Sequence, residues 1–562
     1  MNRIFFIADQ FYHPENINTI GGAEKCNHVL TDELFANEFN DFKDYMFVQM
    51  ICTDLNKKII DKNLDSIFII SNFMTLSEEV KEYLIENSVD YIILEHDHKY
   101  LKNNNPAEFK DLLSSEEDRQ NIQFFRHARA ILCQTDYASQ ILFKNTQAKN
   151  IVSLSGNLWL DSEINLLEKL LTESSAPSER ENKWGVLRSK NPNKGVPETI
   201  AYCLENQIPY SSIGNIHYES FMKEISNCEG IIMFPRWIET FNRFLCESRA
   251  LDCKVMTNQN VGCVQDGWMK YKGKSMIEKM RLCKQEIFEK FRKLIRKEKL
   301  EFIDPDMPRV TIMTTFVEAE EFIEGYLDSI VNQTIFEEVD LLIYDAGSTG
   351  KESEIISKYC EKYSNIKHIR DEERISSSEA FNRMIEKSEN DLIGMVMIDD
   401  RPAPHYAEIL RHYLHFSSSD LVYGDCVQSY VCNAKIDEGF YTSKNLYEHS
   451  IKDFSRENMI KSLPGPMPMF KRSMINRSGG FDSNLKHAND WELWLRCVRS
   501  GSSFLKVHSK VGLYYFNPQG VTTSTDNFTS KIREEASLFM EYKDVIGEQN
   551  FNKYKQYFSQ GL

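Results

Sequence analysis

Leu341-Leu342-Ile343-Tyr344-Asp345-Ala346-Gly347-Ser348-Thr349-Gly350 is an apolar run that stops at an acid, a glycine and two hydroxyls. Apolar residues without polar alternation suit a strand buried on both faces, as in a parallel sheet covered by helices. In such sheets ligands bind beyond the carboxyl ends of the strands. Asp345 falls at that end, and a carboxylate followed by Gly and Ser suits a base edge and phosphates. Upstream, Val310-Thr311-Ile312-Met313-Thr314-Thr315-Phe316 is a second strand running into a polar loop, followed by a helix over 320–331 that ends at Asn332-Gln333-Thr334. Downstream, 366–369 and 393–398 read as further strands, the last ending at Asp399-Asp400. Two adjacent acids at a strand end suit Mg²⁺ or Mn²⁺, which take oxygen ligands and bridge diphosphates.

The first half repeats this alternation. Apolar runs at 4–8, 46–52, 66–70, 91–94 and 130–134 are separated by helical patterns such as 24–34 and 77–86. The pattern restarts after the polar stretch Ser174-Ser175-Ala176-Pro177-Ser178, with strands expected at 183–187, 208–213, 230–234 and 254–258. The fold class is therefore α/β, with units expected at 1–156, 157–265 and 305–562. Between the last two, 266–304 is rich in Lys and Arg and carries Met280, Ile287, Phe291 and Leu294 at helical spacing. It reads as a basic helical linker packed on a neighbouring core, or as a surface for anionic lipid or lipid-phosphate acceptors.

A chain of 562 residues exceeds one ordinary core. Hydrophobic content of 41% and charged content of 27% are those of a globular protein, and the net charge of −17 argues against nucleic acid as a partner. The 13 cysteines are scattered without a CxxC pair, which suits reduced thiols in a cytosolic protein. The apolar run at 4–8 is too short for a signal peptide, and no stretch reaches the ~18–20 residues of a membrane span. The expected location is cytoplasmic, with any membrane contact peripheral.

From 308 to 524 the motifs resemble the family 2 glycosyltransferases, which have the GT-A fold. Thr314-Thr315-Phe316, Ser329 to Thr334, Asp345-x-Gly347-Ser348-Thr349 and Ile375-Ser376 through Ala380-Phe381-Asn382 follow the family's order. So do Asp399-Asp400, Val422-Tyr423-Gly424-Asp425, Gly480-Phe481-Asp482 and Asp490-Trp491-Glu492-Leu493-Trp494. The resemblance implies a UDP- or GDP-sugar donor, with Thr315 and Asp345 in its site and Asp345 on the base. It implies Asp399 as ligand of Mn²⁺ or Mg²⁺ on the diphosphate. Asp490 would be the general base for an acceptor hydroxyl on a glycan or lipid-linked glycan, with inversion at the anomeric carbon. Met397, Ala346, Val317 and Asn517 stand where the family has other residues, which puts the metal's coordination and the choice of base in question.

The first half is similar to the family 4 retaining glycosyltransferases of the GT-B fold. Gly21-Gly22-Ala23-Glu24 heads a helix, where backbone N–H groups meet phosphate. Arg188 and Lys194 follow the first strand of the second unit. Glu239 and Glu247 stand eight apart, and His96 lies in Glu95-His96-Asp97-His98. Carried over, Gly22, Arg188 and Lys194 would meet a donor diphosphate without metal. Glu247 would hold the ribose, Glu239 would lie near the sugar, and His96 would be on the acceptor side. The expectation is a bifunctional glycosyltransferase; the alternative is one metal-dependent transferase with a non-catalytic binding or scaffold module.

Overall fold

A computed structural model describes residues 2–12, 21–36, 45–173, 180–214, 217–303, 306–436, 447–449, 451–520, 523 and 528–559. The polar loop expected at 174–178 and residues 304 and 305 lie outside them. The chain forms two compact units, Met1–Pro305 and Asp306–Leu562.

Unit 1 holds two sheets. β1 (Asn2–Ala8), β2 (Tyr45–Ile51), β3 (Ile67–Ser71), β4 (Tyr91–Glu95), β5 (Ala130–Cys133) and β6 (Ile151–Ser153) form the first, in the order β2-β1-β3-β4-β5-β6. All its pairings are parallel. β3 and β4 are buried at every position, which is why they read as unbroken apolar runs. β7 (Glu181–Leu187), β8 (Tyr210–Ile213), β9 (Cys228–Met233) and β10 (Lys254–Thr257) form the second sheet, also parallel, in the order β10-β9-β7-β8. In both sheets the chain reverses its direction of winding beside the first strand, and that reversal opens a crevice at the carboxyl edge.

The helix expected within 266–304 is shorter. A helical turn at Gly262–Gln265 and a 3-10 turn at Trp268–Lys270 precede the helix Gly273–Ile295. Gly267 and Gly273 take φ of 73° and 49°, left-handed values that interrupt the helix, and Lys297 at 57° closes it. Met280, Ile287, Phe291 and Leu294 are buried among Trp159, Leu167, Leu245 and Leu251. The segment expected as a linker packed on a neighbouring core is thus part of unit 1 and contributes to its core. Several of its cations are engaged there: Lys284 with Glu33 and Asp161, Arg281 with Glu168 at 2.6 Å, and Lys290 donating to the Ser153 carbonyl at 2.7 Å.

Unit 2 has one mixed sheet. Its strands are β11 (Val310–Phe316), β12 (Val339–Asp345), β13 (Ile366–Arg370), β14 (Leu392–Met395), β15 (Arg401–Pro402), β16 (Leu421–Ser429), β17 (Tyr447–His449), β18 (Met469–Lys471) and β19 (Phe504–Tyr515). The order is β13-β12-β11-β14-β18-β16-β19-β15, with β17 on β16. β13, β12, β11 and β14 are parallel, and β18 then runs antiparallel to β14 and β16. The strand expected over 393–398 stops at Met395. A turn closed by Asp400 N–H donating to the Met397 carbonyl at 3.1 Å carries the chain past the two acids. Met313, Tyr344, Phe381, Trp491, Trp494 and Phe539 belong to one buried core.

Candidate active site

In unit 2, β11 lies between β12 and β14, so the ends of all three face one crevice. Phe316 pairs with Asp345, and Asp345 with Arg370. Asp345 is 1% exposed. Its Oδ1 accepts from Ser348 N–H at 2.8 Å, whereas its Oδ2 has no hydrogen-bond donor and lies 3.7 Å from Arg370 Nε. Thr315 Oγ1 and His368 Nε2 are likewise buried without a partner. Buried polar atoms without partners cost free energy that a polar ligand reaching them recovers. Gly347 shapes the loop: its φ is 97°, and a Cβ there would stand 2.9 Å from Arg374 N. Glu318, at φ 50°, ties the ends of β11 and β12 together. Its N–H donates to Ser348 Oγ at 3.0 Å and its carboxylate accepts from Thr349 N–H at 3.0 Å. Nothing in the residue pattern marked Glu318. Arg370 could have been found by counting to the end of its strand.

Asp399 is half-buried and its Oδ2 accepts from Asn517 Nδ2 at 3.2 Å. Asp400 is buried, with Oδ1 accepting from Tyr515 N–H at 3.0 Å. Burial raises both carboxyls above the usual range, and the Asp399 charge raises Asp400 further. Arg401 beneath them donates to the carbonyls of Ile398 at 3.0 Å and Asp400 at 2.6 Å. Gln333, at the Ser-to-Thr helix end, donates to the Ala403 carbonyl at 2.8 Å and accepts from Ala407 N–H at 3.0 Å, anchoring the chain beyond the acids. Among the described residues no three His, Cys, Asp or Glu gather as a metal site. The donor set fits a hard divalent ion that takes one or two carboxylates and fills its shell with ligand phosphates and water.

Asp490 opens the helix Asn489–Arg499. Its Oδ2 accepts from Ser462 Oγ at 2.7 Å and its Oδ1 from Trp491 N–H at 2.7 Å. Burial raises its pKa, against those hydrogen bonds. The strap before it hangs on Glu534, whose carboxylate accepts from the N–H groups of Lys486, His487 and Ala488 at 3.0, 2.7 and 3.1 Å. Asn382 clasps Phe481 by both backbone groups, at 2.8 and 2.9 Å.

Residues 311–479 match the family model described as Glycosyl transferase family 2. Unit 2 carries a family 2 glycosyltransferase domain. The protein is accordingly a transferase enzyme. A stretch of 235 residues, 41% of this chain, is 24% identical to an uncharacterized glycosyltransferase of Methanocaldococcus jannaschii, MJ1057, covering 76% of that protein. Among solved structures, S. aureus TarS is 13% identical with a TM-score of 0.34, over 44% of this chain and 43% of that one. The mannosyltransferase PcManGT from Pyrobaculum calidifontis, in complex with GDP-Man and Mn²⁺, is 16% identical with a TM-score of 0.34, over 49% of this chain and 81% of that one. Likenesses of that size carry no weight for fold or ligand. The family match ends before Asp490.

Outside the family 2 domain, the carboxyl edges of both unit 1 sheets line one cleft of ≈ 360 Å³. Gly22, His96, Lys194, Glu239 and Glu247 all face it, together with Lys25, Trp237 and Arg243. Arg188 is not among the lining residues; it is exposed and donates to the Ser212 carbonyl at 3.1 Å. Lys194 Nζ lies 2.7 Å from Glu239 Oε1, which also accepts from Trp237 Nε1 at 2.6 Å. Glu247 Oε1 accepts from Trp159 Nε1 at 3.0 Å, Tyr218 Oη at 3.1 Å and Arg243 Nε at 3.3 Å. At the glycine turn Glu24 Oε2 accepts from Gly21 N–H at 2.8 Å, and its Oε1 accepts from Gln10 Nε2 at 3.1 Å and Asn72 Nδ2 at 3.0 Å. His96 is 3% exposed with neither ring nitrogen hydrogen-bonded, and burial lowers its pKa to about 4.

Proposed function

We propose that the family 2 domain transfers a hexose from a UDP- or GDP-sugar to a hydroxyl of a glycan or lipid-linked glycan acceptor. One observation carries this reading: Thr315 Oγ1 and Asp345 Oδ2 are buried without hydrogen-bond partners at neighbouring strand ends. A base N–H matches the unpartnered Asp345 oxygen, which lies 3.7 Å from Arg370 Nε. Asp399 would hold a divalent cation together with the donor diphosphate. When bound, the cation offsets the charge gathering on the leaving diphosphate.

Asp490 takes the proton of the acceptor hydroxyl, whose oxygen attacks the anomeric carbon. The bond from that carbon to the diphosphate oxygen breaks with its electron pair leaving on the diphosphate, and the sugar inverts. Asp490→Asn keeps the acceptor from Trp491 N–H but loses the base. Turnover of the donor is expected to fall by ~10²–10⁴-fold, the worth of a general base, with affinity for UDP or GDP nearly unchanged. Normal turnover in that variant removes Asp490 from the role.

A second reading makes unit 1 a metal-independent retaining transferase, which would make the protein bifunctional. In its favour, Gly22, His96, Lys194, Glu239 and Glu247 share one cleft. Against it stand the paired state of Lys194 and the outward course of Arg188. We favour the single transferase centre with a non-catalytic unit 1.

No helix among the described residues is long and apolar enough to cross a membrane. Peripheral membrane contact through the helix Gly273–Ile295 gains no support from its engaged cations.

A further inference from the structure

The unit 1 cleft distinguishes two classes of ligand by charge. A nucleoside diphosphate brings several negative charges, which require cations or helix N-terminal N–H groups left over to meet them. Three cations line the cleft, Lys25, Lys194 and Arg243, against three carboxylates, Asp97, Glu239 and Glu247. Each cation lies beside an acid. Lys194 is 2.7 Å from Glu239, Arg243 is 2.6 Å from Glu163 and 3.3 Å from Glu247, and Lys25 is 3.9 Å from Glu163. Burial lowers the pKa of Lys25. At the start of the helix Gly22–Val29, Glu24 takes the N–H of Gly21. The described side chains of this cleft therefore leave no surplus positive charge.

What they leave is neutral and polar. His96 presents an uncharged imidazole with one donor and one acceptor, both unmet. Gln134 and Asn157, whose oxygens accept from Thr240 and Leu158, add amide nitrogens, and Phe221, Trp237 and Phe244 add aromatic surface. A sugar has this complement: hydroxyls that donate and accept, and C–H faces that cover a ring. The volume of ≈ 360 Å³ suits a small ligand.

We propose that the unit 1 cleft is a saccharide site, taking a neutral oligosaccharide through His96, the lining amides and the aromatic rings. It stands on the unit 1 geometry, and rests on the proposed function only in identifying the saccharide as the acceptor. A saccharide held there would raise the acceptor's effective concentration on the same chain.

The test uses the full-length protein on an array of neutral oligosaccharides, followed by hydrogen exchange with each oligosaccharide bound, and with UDP or GDP plus Mn²⁺. At least one oligosaccharide is expected to bind and to slow exchange at 94–98 and 239–247. The His96→Ala variant is expected to lose ~10-fold or more in its affinity, the scale of a lost hydrogen-bonding group. UDP and GDP are expected to slow exchange at 345–349 and not at 239–247. Slowing at 239–247 by either nucleotide, or no oligosaccharide bound on the array, overturns the proposal. Absence of a nucleotide effect at 345–349 is a failure of the unit 2 reading instead, so the two are distinguishable.

Discussion

Asp490 works or fails as a base according to where its proton leaves. Burial raises its carboxyl above the ordinary range, and the Ser462 hydroxyl and Trp491 N–H only partly oppose this. A base must be ionised, so activity falls as pH drops through that raised pKa. The acid limb of kcat/KM is therefore expected above ~4, the ordinary Asp value. Ser462→Ala removes a hydrogen bond to the ionised form and should move the limb to higher pH, seen in a pH–rate profile. A limb that stays in place, or moves to lower pH, contradicts the assignment. At this scale much of unit 2 was legible: Asp345, Asp399 and Asp490 are each named by the motif around them. Glu24 was not, because a glutamate two residues into a helix reads as ordinary, and only its side-chain direction shows that it ties the glycine turn to Gln10 and Asn72.

Elements were legible where burial imposes a period. β3 and β4 are apolar throughout, and their strands were found within a residue or two. The helix Gly273–Ile295 kept its stripe but not its ends, since Gly267 and Gly273 act through left-handed φ that composition does not announce. β14 lost its last residues to the turn that presents the acids. The strap before Asp490 shows an element held from a distance, with Glu534 accepting three backbone N–H groups. Glu534→Ala leaves those donors unmet at a cost of about 1–3 kcal/mol. We expect a lower Tm and a fall in kcat larger than any change in KM for the donor. A variant with unchanged Tm and kcat would mean that the strap does not position Asp490.

Each unit of the whole molecule has its own core: one cluster around Trp159 and Phe291, another around Trp494 and Phe539. Separate cores predict separable responses to stress. Phe291→Ala should cost unit 1 ~3–5 kcal/mol and lower one calorimetric transition. UDP with Mn²⁺ at about 100 times its Kd should raise the other by ~2.7 kcal/mol. A single transition shifted by both would contradict this division. The α/β class was legible in the alternation of strands and helices, whereas the two units expected at 1–156 and 157–265 fall within one compact unit, Met1–Pro305. The chemistry of the unit 1 cleft was not, because it depends on which cations are already paired, a property of folded side chains rather than of spacing.

The central claim is that the family 2 domain binds a nucleoside diphosphate through Asp345 and a cation at Asp399. Isothermal titration of UDP and GDP into the full chain, with Mn²⁺ and with chelator, tests it directly, using Asp399→Asn alongside. The account predicts that one nucleotide binds with Mn²⁺, and that either chelator or the Asp399→Asn change weakens it by ~10-fold or more, about 1.4 kcal/mol. Equal affinity with metal, with chelator and in the variant would contradict it.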